Sequence, residues 1–484
     1  MYLPTPSNRG ALLGKPAYDM LPAALDGSWD DVYGSNGPGG GESAVWWTAG
    51  AWRYCAFHGD DARLLGSVLP ALGLFLAQGS LRNGTDGRLH LYNCTSPEYK
   101  MRPSTDCNFG LSVYKWAAQT GSAIAAELAP DDPNVTVFRD VLARLAPFSV
   151  DRATGSWSVA ADVPYAMPHR HYSHLLMMHD LGIVGGDAGD VDTMRASLDV
   201  FHNVTCAGPQ AHGPDWDGDG ECRGFTQAAL SAMSALMNRS DAALGNLTKY
   251  IELVGLPNAM YGEMSFVNGG FSPVSESAYS AAASVYGLLL RSAPWPPVPR
   301  SGAAASPARP LLHVFPAAPF ANASFFRLRA EGALLVSAER ASGATQWAAV
   351  EADLLADGSG AGAPVAFLLL VEDWRSVTAL AIVAAAPGVA ATLQQPGVFA
   401  VTGLARGSAA GFYPAAGAAS AQPLFAVGVA QGRNESEANW WGSRFVFEVE
   451  WCSARRVVGA GGGPPLPCAP SAAPRSRGSA TRAQ

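Results

Sequence analysis

The apolar residues of this chain change their period once, across a proline-rich break, and that change limits the fold more than any other feature. From Ser43 to about Leu290 they recur at helical spacing, as in VWWTAGAWRYCAFHGDDARLLGSVLPALGLFLAQ and FGLSVYKWAAQTGSAIAAELA, with Gly, Pro, Asn and Asp gathered between the runs. The stretch APWPPVPRSGAAASPARP, residues 293–310, closes this helical half. Beyond it lie short runs of strand length rich in Val, Phe and Leu, such as LLHVFPA, FFRLRA, ALLVSAE, VAFLLLVE and RFVFEVEWC. The pattern predicts a mainly α unit over 43–292, a linker over 293–310 and a β unit over 311–455. An irregular lead, 1–42, and a disordered tail, 456–484, flank them.

Composition removes several functions. At 484 residues and 48% hydrophobic content the chain can bury a large core. Its 32 basic and 40 acidic residues leave a net charge of -8 and no basic stripe to neutralise a phosphate backbone, which excludes nucleic acid as the expected partner. The most apolar segment, Val365 to Val389, is interrupted by Glu372, Asp373 and Arg375, so no membrane insertion is expected.

The sequon Asn-x-Ser/Thr occurs at Asn83, Asn93, Asn134, Asn203, Asn238, Asn246, Asn322 and Asn434. With 14 asparagines and 57 Ser and Thr in 484 residues, chance supplies roughly two such sites. The excess predicts a secretory glycoprotein whose Asn83, Asn93, Asn134 and Asn203 are accessible. Seven cysteines fit that compartment: Cys94 with Cys107, Cys206 with Cys222, and Cys452 with Cys468 are short-range pairs that an oxidising lumen could close, leaving Cys55 over. Scattered buried thiols are the alternative, and no C-x2-C metal spacing is present. Met1 to Gly10, MYLPTPSNRG, lacks the basic end and apolar run of a secretory signal, so either the start lies upstream or export takes another route.

Three segments are more specific than composition: GRLHLYNCTSPEYK with TDCNFGLSVYKW, then DVPYAMPHRHYSHLLMMHDLGIV, then MYGEMSFVNGGFSPVSESAYSAAASVYGLLLRS running on to LLHVFPAAP. In this order, over roughly Ser43 to Glu351, they resemble glycoside hydrolase family 95 and its bacterial relatives, whose type activity is α-L-fucosidase. The resemblance implies a mainly α fold, an (α/α)6 barrel followed by a small C-terminal β domain beginning near LLHVFPAAP.

Inverting hydrolysis of a glycosidic bond needs one carboxyl group to protonate the leaving oxygen and a second to activate water on the opposite face of the sugar. Glu98, in Ser96-Pro97-Glu98, matches the family's Ser-Pro-Glu motif and is implied as the general acid. In the type members an Asp stands twelve residues before the closing apolar run and serves as base; Glu276 holds that place before Leu288, within SPVSESA, and relatives with Glu-Thr-Pro there are more similar to this chain. A charge at a helix N-terminus is the other reading of Glu276. The segment His169-Arg170-His171-Tyr172-Ser173-His174 lines the sugar pocket in the family. Taken as residues alone, it admits sugar contact, packing or a metal, although no distant third ligand or His-x3-His accompanies it.

Trp46, Trp47, Trp52 and Trp116 could stack on sugar rings or belong to a helical core stripe. Asp215-Trp216-Asp217-Gly218-Asp219-Gly220 opens like a calcium loop, but Thr226 stands where the bidentate Glu belongs. Gly37 to Gly41 lacks the preceding strand and following Lys of a phosphate cradle. The family positions its water with an Asn-x-Asn segment upstream of the Trp-rich helix. No counterpart lies between Met1 and Ser43, so the front of the barrel is expected to be missing and activity of these residues alone is not assured.

The expected function is therefore inverting, exo-acting, α-L-fucosidase-like hydrolysis of oligosaccharides or glycans, with Glu98 and Glu276 catalytic and His169, Arg170, His171, His174, Trp46 and Trp47 at the substrate. No metal or cofactor is expected. An α-L-galactosidase-like activity and a catalytically degenerate glycan-binding protein are the rivals, and the sequence does not set the oligomeric state.

Overall fold

The computed structural model describes residues 40–97, 99–184, 188–207, 222, 224–254, 276–292, 310–353, 364–384, 388–415 and 445–446. Helices come first: α1 Gly40–His58, α2 Leu69–Gln78, α3 Asn108–Leu128, α4 Val135–Arg144, α5 Ala188–His202, α6 Gly224–Leu236, α7 Ser240–Val254 and α8 Glu276–Leu289. None of the described helices is long and apolar enough to cross a membrane.

The centre of the helical half is α3, which buries fourteen of its 21 residues and is therefore enclosed on nearly every side. Its first residue, Asn108, is buried yet satisfied: Nδ2 donates to the Ser149 and Ser158 carbonyls and Oδ1 accepts from the Ser149 N–H. The helix ends where Ala129 leaves the helical region and Pro130 follows. Gly121 lets α4 approach, since a Cβ there would lie 2.6 Å from the Phe138 ring.

The mainly α unit also holds a few short strands, for which the apolar spacing gives no signal. β1 Leu81–Asn83, β2 Leu89–Cys94 and β3 Ser104–Thr105 form a small antiparallel sheet between α2 and α3. The cause is local turn chemistry: Gly87 takes φ 80° after Asp86, and the Gly84 N–H donates to the Arg88 carbonyl at 2.7 Å. Disulfides join Cys94 to Cys107, with Cα atoms 5.9 Å apart, and Cys206 to Cys222, at 4.8 Å. Cys55 is a buried thiol whose pKa burial pushes up to about 12. Cys452 and Cys468 lie outside the described residues.

After α8 the chain builds two facing sheets. One runs β10 Leu380–Ala384, β13 Ala409–Pro414, β8 Ala344–Ala352, β7 Leu334–Ala341, β6 Ala323–Ala330 and β14 Phe445–Val446. The other runs β11 Ala390–Gln395, β12 Val398–Leu404, β9 Val365–Val371, β5 Leu311–Val314 and β4 Leu290–Arg291. The β5–β9 pair is parallel and the remaining pairs are antiparallel. Burial along β9 alternates at every residue, as a strand with one face on a core requires. Between the sheets Phe367 meets Phe412 edge to face, and Trp374 is buried with its Nε1 donating to the Thr345 carbonyl at 2.9 Å.

The same core takes Ala235 of α6, Ala243 of α7 and Leu288 and Leu289 of α8. The end of the run GLLLRS, expected to be helical, is strand: Leu290 pairs with Val314 and Arg291 with His313. The β6–β7 turn in addition reaches α1, where the Gly332 N–H donates to the Ala56 carbonyl at 2.7 Å. Among the sequons, Asn83, Asn93, Asn203, Asn238 and Asn322 are exposed, Asn134 and Asn246 are partly buried, and Asn434 lies outside the described residues.

Candidate functional site

The segment His169–His174 has almost no regular structure, only a 3-10 turn at Ser173–Leu175, so its backbone polar groups must find partners elsewhere. Tyr165 supplies several. Its hydroxyl donates to the His169 carbonyl at 2.9 Å and accepts from the His169 N–H at 3.1 Å and from Thr205 at 2.8 Å. Its ring stacks on His174, with centroids 4.2 Å apart. His169 Nδ1 accepts the His171 N–H at 3.0 Å, so a neutral His169 carries its proton on Nε2. Phe225 meets His171 edge to face at 5.0 Å and stacks on Tyr172.

These surroundings keep the imidazoles of His171, His174 and His179 neutral. Burial lowers the His171 pKa to about 3, helped by Arg170 and His169, and burial lowers that of His174 to about 3, with His169 adding to it. His179 falls to about 4 for the same first reason, against the pull of Asp180. Asp180 in turn accepts from the Tyr172 hydroxyl at 3.3 Å, and its carbonyl accepts from Arg53 of α1.

On one side the segment is joined to the Ser96–Tyr99 loop. Ser96 Oγ lies 2.9 Å from Ser173 Oγ, and the Tyr99 hydroxyl accepts the N–H groups of Ala166 and Met167 at 3.2 and 3.1 Å. On the other side stands the N-terminus of α6, where Thr226 Oγ1 donates to the Arg170 carbonyl at 3.3 Å. Helices α6 and α8 run parallel: Ser284 Oγ donates to the Ala228 carbonyl, a Cβ on Gly287 would touch Ala235, and Arg291 reaches Ala235 and Asn238. The first residue of α8, Glu276, therefore belongs to the end of this helix pair at which α6 also begins.

No family model matches the chain, and no curated protein sequence matches it. Among solved structures, a protein from the human microbiome assigned as a kojibiose phosphorylase is similar over 69% of this chain and 47% of its own, at 9% identity and a TM-score of 0.41. A glycoside hydrolase is similar over 77% of this chain and 55% of its own, at 8% identity and a TM-score of 0.25. The chain thus spans about half the length of each, and similarity of this size fixes neither family nor chemistry.

Of the residues singled out in the sequence, His169, Arg170, His171 and His174 form one unit. Glu98 lies outside the described residues, between Pro97 and Tyr99, whose loop packs on that unit. The side chains of Glu276, Trp46 and Trp47 also lie outside, their backbones belonging to α8 and α1. Trp116 is buried and meets Trp52 edge to face at 6.0 Å, which makes this pair core. The acidic loop 215–220 and Gly37 to Gly39 lie outside, while Gly40 and Gly41 begin α1. Among the described residues no group of three or more His, Cys, Asp or Glu side chains could hold a metal ion. Tyr99, Tyr165 and Thr205 were not singled out, and Thr226 only as the residue standing where a calcium loop has its Glu; both tyrosines stand within the quoted motifs, but bonds to partners up to 68 positions away leave no periodic trace.

Proposed function

We propose that this chain carries the catalytic region of an inverting, exo-acting glycoside hydrolase of α-L-fucosidase type, its helical residues 43–292 belonging to an (α/α)6 barrel and residues 311–455 to a β domain behind it. One observation carries the reading. The histidine segment is joined on one side to Ser96, through Ser173, and to the Tyr99 ring, through His169, the two residues that bracket Pro97 and Glu98, and on the other, through Arg170 and Thr226, to the N-terminus of α6, the helix that runs parallel to α8.

In this mechanism water attacks the anomeric carbon as the bond to the leaving oxygen breaks; Glu276 takes the water's proton and Glu98 supplies one to the leaving group. The first turn of a helix favours the ionised carboxylate that a base needs. Neutral His171 and His174 can each donate and accept, and His169, whose Nδ1 takes the His171 N–H, can donate from Nε2, which suits sugar hydroxyls, with Arg170 as a further donor and Trp46 and Trp47 as stacking faces. Two disulfides and eight sequons support a secreted protein.

The test is hydrolysis of aryl α-L-fucosides and α-L-galactosides by the full-length protein, with the product anomer read by NMR. Release of β-L-fucose is expected. Glu98→Gln should abolish turnover of substrates with poor leaving groups and spare activated aryl substrates more, while Glu276→Gln should impair both. Wild-type rates in either variant, or binding without hydrolysis in the unaltered protein, would sink the assignment.

A further inference from the structure

The sequon Asn93-Cys94-Thr95 has a half-cystine at its centre. Asn93 is exposed, with φ 57°, a left-handed conformation that Asn tolerates better than most residues. Thr95 is exposed too. The backbone between them is fixed: Tyr92 pairs with Thr105, Cys94 with Ser104, and the Cys94 sulfur is bonded to Cys107, a fully buried residue at the head of α3. A glycan on Asn93 thus fits the folded chain, whereas attaching one does not. A transferase must take hold of the Asn amide and the Thr hydroxyl together, which requires the tripeptide to leave the sheet. With the disulfide closed, leaving would drag the first turn of α3 out of the core.

We propose that Asn93 is an N-glycosylation site read only before the Cys94–Cys107 bond closes, so that its occupancy records whether oligosaccharide transfer or disulfide formation came first. The proposal rests on the secretory reading. In the transfer, Nδ2 of Asn93 bonds to C1 of an oligosaccharide carried on a lipid pyrophosphate. The C1–O bond to the pyrophosphate breaks, the lipid pyrophosphate leaves, and one amide proton passes to a base of the transferase. Asn83-Gly84-Thr85 is the reference site: it enters the β1–β2 turn, its Asn is exposed, and no cysteine lies within it.

The experiment is expression of the full-length protein in eukaryotic cells, with occupancy of each site measured by mass spectrometry. Asn93 should be partly occupied in the unaltered chain. Cys107→Ser, which leaves the tripeptide intact, should raise Asn93 toward the occupancy of Asn83 without moving Asn83. Transfer does not need the folded chain, so the gain is readable on chain retained in the cell even where the variant does not fold. Brief dithiothreitol treatment of cells making the unaltered chain should give the same rise. Full occupancy of Asn93 in the unaltered chain, or no response to either treatment, overturns the coupling alone when Asn83 is glycosylated. A chain bare at both sites overturns the secretory reading with it.

Discussion

The histidine segment and the β sandwich are held by different means. In the sandwich, backbone ladders run strand to strand and apolar burial is spread over Phe367, Phe399, Phe412, Trp374 and their neighbours. Around His169–His174, irregular backbone is pinned by single side chains, chiefly the hydroxyls of Tyr165, Tyr99, Ser96 and Thr226. Stability in the first region is therefore shared among many residues, and in the second it is concentrated in few.

Acid should divide the two regions most sharply, by number: three imidazoles lowered by burial to about 3 to 4 lie in or beside the histidine segment, whereas the described strands of the sandwich carry one, His313 of β5, lowered to about 3 by burial first and by Arg291 and Arg375 next. His171, His174 and His179 have pKa values lowered by burial, so the unfolded chain takes up their protons first. Their stabilisation is complete above the unfolded value near 6.5 and is lost as pH falls through it, by about 1.4 kcal/mol per pH unit for each imidazole, until the folded values near 3 to 4 are reached. Hydrogen exchange at pH 5 should find residues 165–181 opening before the strands. Equal protection of both regions would erase the contrast.

Trp374→Ala should cost about 3–5 kcal/mol, because it leaves a large cavity in the sandwich, and denaturant unfolding should register it as a global loss. Tyr165→Phe keeps the ring and removes one hydroxyl with three partners, so about 1–3 kcal/mol is expected, confined by hydrogen exchange to the histidine segment. A global shift from Tyr165→Phe would mean that the segment is coupled to the whole core. Arg195→Ala, which breaks an exposed pair with Asp192 at 3.0 Å, should change stability by less than about 0.5 kcal/mol in either region.

The same contrast explains what could be read in the sequence. Helix and strand periodicity is a property of consecutive residues, and α3, α6, β7 and β9 fall where the apolar spacing puts them. The small sheet of β1 to β3 escaped because strands of two to six residues are too short to establish a period; the Asp86-Gly87 turn was its one signal. Leu290–Arg291 continues a helical apolar run, and only its partner at 313–314 makes it strand. The histidine segment was legible as a motif through resemblance. Its supports were not, since a hydroxyl that meets a backbone N–H 67 positions away is chosen by the fold and not by its neighbours in the chain.

The pairing of β4 with β5 has a practical consequence. The two strands flank the proline-rich stretch 293–309 and are hydrogen-bonded to one another, while Leu288 to Leu290 share a core with Val314, Phe315 and Phe325. A protease that cut once within that stretch would produce a nick and not two free fragments. The pieces should travel together through gel filtration, part only in denaturant, and rebuild the same particle when the denaturant is removed.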